Sequence, residues 1–242
     1  MLLHTALPDS FERIFSASHK RMVVNTFGAL AGGHDDEDEA ISIIRTKLQK
    51  LAGQPLIDFY DFPPVYETWF DRADPDGLGP LDLLRFKKQL ILYGPPGTGK
   101  TYSAQILAER LITKAALQNW GATEFFQRQD ELEIALESNV ERIQLHASYG
   151  YEDFIRSLQL NADGATEYVL GFLPRLIQKI ELEDSNFRLP TVLILDELNR
   201  TDLSRLLGEA FSLLEHRDVA VDLRGWTKKD KSSYFGCLPI ST

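Results

Sequence analysis

Eight consecutive residues constrain this chain more than any others: Gly94, Pro95, Pro96, Gly97, Thr98, Gly99, Lys100 and Thr101. They match G-x-x-x-x-G-K-[ST] in full. The flanks are the ones such a loop needs. QLILY (89–93) before it reads as a short apolar strand. Residues 101–117 after it read as a helix, with apolar side chains at 104, 107, 108, 111, 112 and 115. Gly94, Gly97 and Gly99 let the backbone curl so that successive N–H groups face phosphate oxygens. A helix starting near Lys100 adds the positive end of its dipole to the same anion. Lys100 is expected to reach the β- and γ-phosphates of a nucleoside triphosphate, and the Thr101 hydroxyl to bind Mg²⁺. Pro95, Pro96, Thr98 and Tyr102 complete the cradle. The competing explanation, a chance glycine-rich turn, must account for eight matching positions and both flanks at once.

A second cluster supplies what such a loop requires. The apolar run TVLIL (191–195) reads as a buried strand that delivers Asp196 and Glu197 at its C-terminal end. In open α/β sheets, ligands bind outside the carboxyl ends of the strands. Asp196 is therefore a candidate Mg²⁺ ligand, and Glu197 a candidate to position the attacking water. The plainer alternative is that the two acids only cap the helix that follows. The second acid favours hydrolysis of ATP or GTP over the chemistry of nucleotide kinases, many of which use no water-activating glutamate.

RIQLH (142–146) reads as a further strand, and residues 168–180 and 203–214 as helices. Apolar strands separated by helices imply a parallel sheet with helices on its faces, an α/β architecture. The expected division is a mainly helical segment with a linker over 1–80, then a partial nucleotide-binding domain over 81–242. Within the first part, residues 9–31 read as two helical pieces broken near Ser16–Ser18, and 41–51 as an amphipathic helix. GGHDDEDEA (32–40) reads as a solvated loop and helix start, with a metal site on His34 as the alternative. DPDGLGP (74–80) is turn chemistry.

Composition excludes several classes. The 242 residues carry a net charge of −10, which argues against a general nucleic-acid or anionic-membrane surface. Cys237 is the only cysteine, so no intrachain disulfide forms, and no two of the five histidines have zinc-ligand spacing. No run approaches the roughly 18–20 apolar residues that span a bilayer. The N-terminus lacks a basic region, so a cytoplasmic location is expected.

Three stretches carry a resemblance: LLHTALPDSFERIFSASHKR at the start, IQLHASYGYEDFI (143–155), and DELNR (196–200) running into TDLSRLLGEAFSLLEHR. Over about residues 2–225 the chain resembles the McrB-like branch of AAA+ proteins, the NTPase subunits of methylation-dependent DNA restriction systems. The resemblance implies a P-loop α/β core, a homo-oligomeric ring and a McrC-like nuclease partner. It also implies that DNA is engaged through the complex, not directly by this chain. Asn199 and Arg200 fall on the family's DE-x-NR signature. They are expected near the γ-phosphate or a subunit boundary, with Arg200 giving electrostatic help there; a helix-start salt-bridge pair is the alternative for the two. His146 lies on the family's own motif, either as part of a packed strand end or in a catalytic role. The family's next strand carries an Asn-Thr-x-Asp segment, followed by a helical lid with a sensor arginine. VAVDLRGWTKKDKSSYFGCLPIST (219–242) does not match these, so the lid is expected to be absent. An N-terminal DNA-recognition domain is likewise not matched. Three functions stay open: an NTPase motor of a restriction or defence complex, a truncated nucleotide-binding module with little turnover, and a MoxR-type AAA+ chaperone. The last would not carry HASYGYEDFI.

Overall fold

The computed structural model describes residues 16–70, 79–160, 162–182, 189–208 and 210. The chain divides into two compact units, Met1–Glu141 with Leu189–Val192 and Arg142–Arg188 with Leu193–Thr242.

The first unit is helical. α1 (Ala17–Ala31) starts after Ser16 and stops at Gly32, whose φ of 77° closes the helix. α2 (Glu37–Ala52) opens in the acidic run: the Asp36 carboxylate accepts from the N–H groups of Asp38 and Glu39, and Glu37, Asp38 and Glu39 occupy the positive end of the dipole. The acidic stretch is thus a helix start, and His34 lies 3.6 Å from Glu39. No metal-binding cluster of His, Cys, Asp and Glu occurs among the described residues. α3 (Pro63–Trp69) and α4 (Pro80–Lys87) follow, then the long α5 (Lys100–Gln127) and α6 (Gln129–Ser138). α5 outruns the expected 101–117 and breaks at Gly121, where φ is 75° and ψ 163°. Val23 and Phe27 of α1, Ile41, Ile44 and Leu48 of α2, Phe59, Trp69, and Ile112 and Ala116 of α5 form one buried core. Trp69 satisfies its indole N–H on the Phe59 carbonyl at 2.8 Å, as a buried donor must. Truncating such a side chain costs about 3–5 kcal/mol.

The expected strand at 89–93 is not one. Residues 89–95 carry no helix or strand, and the side chains of Ile91 and Tyr93 are 76% and 98% exposed. A strand exists only by pairing, and no strand among the described residues pairs with this segment.

β1 (Val140–Gln144) and β4 (Val192–Asp196) pair with each other. The Val192 N–H donates to the Asn139 carbonyl (2.8 Å) and the Leu145 N–H to the Asp196 carbonyl (2.9 Å), so the strands run parallel. In the second unit, α7 (Tyr151–Phe154) leads into the antiparallel hairpin β2 (Arg156–Leu160) and β3 (Thr166–Leu170), paired from Arg156 with Leu170 to Leu160 with Thr166. α8 (Phe172–Leu182) starts only after Gly171. The expected helix from 168 therefore loses its first residues to β3. Gly171 separates the two: its N–H bonds the Ile155 carbonyl at 2.8 Å, and a Cβ there would lie 2.5 Å from the Phe154 carbonyl carbon. Asp202 caps α9 (Leu203–Leu207) by accepting from Ser204 and Arg205 N–H groups; the rest of the expected 203–214 helix lies almost wholly outside the described residues. Leu145, Phe154, Ile155, Leu206 and Leu207 make the core of this unit.

Candidate nucleotide-binding site

The loop at 94–99 ends on two glycines in the left-handed region, Gly97 (φ 78°) and Gly99 (φ 75°), with α5 beginning at Lys100. No atom beyond the neighbouring residues lies within 4 Å of where a Cβ would stand at either, so these positions require glycine for their backbone angles, not for space. Gly99, lacking a side chain, leaves the N-terminus of α5 without a side-chain cap. The Lys100 ammonium donates to the carbonyls of Gly94 (3.0 Å) and Pro95 (2.7 Å). The Thr98 hydroxyl also donates to the Pro95 carbonyl, at 2.8 Å. The loop thus places a cation beside a helix N-terminus, two components of an anion site. Tyr102, in the first turn of α5, is 72% exposed.

In the second unit, β4 delivers Asp196 at its last residue. Asp196 Oδ2 accepts from Arg142 Nη2 at 2.6 Å, and its Oδ1 accepts from the Glu197 N–H at 3.0 Å. Glu197 is held at φ 57°, ψ 40°. For a residue with a Cβ this left-handed conformation costs about 1–2 kcal/mol, and such strain gathers at functional sites. Its Oε2 accepts from Arg200 Nε at 3.0 Å, so Arg200 forms the local ion pair. Asn199 is exposed on the short 3₁₀ turn Leu198–Arg200. His146 is exposed, with Nδ1 2.9 Å from the Ser148 hydroxyl and its ring edge-on to Tyr149. Burial, reinforced by Asp153, raises the Tyr149 phenol above its ordinary value, so it stays neutral. The Thr201 hydroxyl ties the segment after β4 to the Tyr149 carbonyl at 3.1 Å.

The structure brings residues 94–102 together in the first unit and Asp196, Glu197, Asn199 and Arg200 in the second. Arg142 escaped sequence reasoning. It sits 54 positions from Asp196, and only the β1–β4 pairing reveals it as a neighbour.

Residues 89–236 match the family described as AAA domain (dynein-related subfamily). Over 136 residues the chain is 34% identical to the Type IV methyl-directed restriction enzyme EcoKMcrB subunit of Escherichia coli (strain K12), covering 56% of this chain and 24% of that protein. The chain spans about a quarter of the length of this curated relative. The family match takes in the phosphate loop, α5, both paired strands and the acid pair, more than half of the chain. The chain therefore belongs to the dynein-related subfamily of AAA domains, with a P-loop α/β core.

Proposed function

We propose that this chain binds a nucleoside triphosphate with Mg²⁺ through Gly94, Pro95, Pro96, Gly97, Thr98, Gly99, Lys100, Thr101 and Tyr102, and hydrolyses it. The observation that carries this reading is the loop: two left-handed glycines lead into α5 at Lys100, whose ammonium rests on the loop carbonyls of Gly94 and Pro95. Lys100 exchanges the Gly94 and Pro95 carbonyls for β- and γ-phosphate oxygens. The donor chemistry fits the metal, since the Thr101 hydroxyl and Asp196 carboxylate are the hard oxygens Mg²⁺ prefers, and Asp196 Oδ2 already accepts a cation at 2.6 Å. When bound, Mg²⁺ neutralises charge on the phosphates. Glu197 orients the attacking water and accepts its proton. Arg200 and Asn199 stand beside that acid to stabilise the charge that develops there.

The similarity to a restriction-enzyme subunit supports a wider role as the motor of a DNA restriction or defence complex. We assign it a homo-oligomeric ring in the cytoplasm, a McrC-like nuclease partner and access to DNA through the complex. A second reading, nucleotide binding with little turnover, is favoured by one observation: Arg200 occupies Glu197 Oε2, so the water-positioning acid must first be released.

Titrating labelled ATP and GTP into the chain with Mg²⁺ tests the site. Lys100→Ala is expected to abolish binding, and undiminished binding would refute the loop assignment. Steady-state phosphate release decides between the two readings: turnover lost in Glu197→Gln supports hydrolysis, whereas equal rates in parent and variant leave only the binding module.

A further inference from the structure

Both acids at the end of β4 meet an arginine, but by different routes. Arg200 reaches Glu197 from three residues away, as any short turn allows. Arg142 reaches Asp196 across the sheet, because the Leu145 N–H to Asp196 carbonyl bond fixes β1 alongside β4. The Arg142 side chain is half exposed, at 49%, while the Asp196 side chain is only 21% exposed. The carboxylate is thus the anchored member and the guanidinium the one with room to swing away. One Asp196 oxygen holds the Glu197 N–H and the other holds Arg142. A Mg²⁺ ion drawing on this carboxylate meets a like charge seated on Oδ2.

The geometry points to Arg142 as a positioning residue that competes with Mg²⁺ for Asp196 and so sets the Mg²⁺ concentration at which nucleotide is held tightly. This rests on the proposed reading of Asp196 as a metal ligand. Arg142 keeps the carboxylate oriented and its charge compensated. Metal–nucleotide binding then displaces the guanidinium towards solvent. The Asp196 carboxylate thereby acquires a Mg²⁺ threshold that it would place lower without Arg142.

The test titrates Mg²⁺ into the 242-residue chain with an N-methylanthraniloyl, non-hydrolysable ATP or GTP analogue, following fluorescence. Arg142→Gln is expected to lower the Mg²⁺ midpoint about three- to fivefold, the scale of an ion pair this exposed. Affinity in EDTA should stay unchanged, and Arg142→Lys should restore most of the parent midpoint. In an Asp196→Asn background the Arg142→Gln shift should vanish. An unmoved midpoint in Arg142→Gln would overturn the inference, as would a shift that survives Asp196→Asn. Weakened binding of Arg142→Gln in EDTA would also overturn it, because the arginine would then be touching phosphate itself. Failure of the underlying reading looks different: Asp196→Asn would leave the Mg²⁺ dependence of the parent intact, or the analogue would not bind the parent at any Mg²⁺ concentration.

Discussion

The phosphate loop and the acid end of β4 solve the problem of holding charge in opposite ways. The loop works through its backbone. Its two left-handed positions are glycines, its helix start has no capping side chain, and its lysine rests on main-chain carbonyls. The acid end works through side chains, with each carboxylate matched to a guanidinium. It also has a left-handed position, but fills it with a glutamate and bears the strain. The loop depends on one side chain, Lys100, and is otherwise intolerant of a Cβ at its left-handed positions. Side-chain sites tolerate backbone strain but depend on each partner.

The largest test of this contrast is Glu197→Gln, which removes a proton acceptor and leaves the loop untouched. Turnover should fall by about a hundredfold or more while nucleotide affinity stays within about twofold, measured by phosphate release and fluorescence titration. Next comes Gly99→Ala, which puts a Cβ where φ is 75°. It should lose about 1–2 kcal/mol of loop preorganisation, read as roughly tenfold weaker nucleotide binding. The mirror experiment is Glu197→Gly. Relief of the left-handed strain outweighs the extra flexibility of glycine by about 0.5 kcal/mol, so denaturant unfolding should show an inactive protein that is slightly more stable. A glycine removed from one site and inserted at the other should thus move the two read-outs in opposite directions, and equal signs would break the comparison.

The smallest effect concerns a surface pair that serves as control. Hydrogen bonding to Arg128 holds the Glu131 carboxyl below its ordinary 4.5. Its stabilisation is present above about pH 4.5 and is lost as pH falls through the lower folded value. Arg128→Ala should erase that limb of a stability-against-pH curve, a small change since the Glu131 side chain is well exposed. It also removes the guanidinium lying 4.3 Å over the Trp120 ring, so a pH-independent loss should accompany it.

What could be read in advance follows the same division. The loop was legible because eight contiguous residues specify a backbone path, and α5 because its apolar spacing is local. Asp196 and Glu197 were legible because an apolar run ending in acids states its own direction. The segment at 89–93 misled because apolar character states a preference for burial, whereas a strand needs a partner, and among the described residues this segment has neither. The helix expected from 168 began too early, since apolar spacing runs unbroken across Gly171 and the close approach to Phe154 and Ile155 is a tertiary fact. The sequence does hold a hairpin signal: Asp163-Gly164, with Gly164 at φ 76°, stands between β2 and β3. Arg142 had no signal at all, because strand neighbours distant in sequence cannot be read from one chain.

The break in α5 at Gly121 has a mechanical meaning. From Lys100 to Trp120 the helix is an unbroken rod of about 30 Å, one end forming the rim of the phosphate loop. Further along, Ile112 and Ala116 are clamped in the first unit's core. Such a rod is a strut between the loop and that clamp, and the joint at Gly121 turns the chain where a straight helix would carry it onward. The turn brings Phe125 back into the core that holds Ile112, so the chain on both sides of the joint is anchored in one layer of side chains.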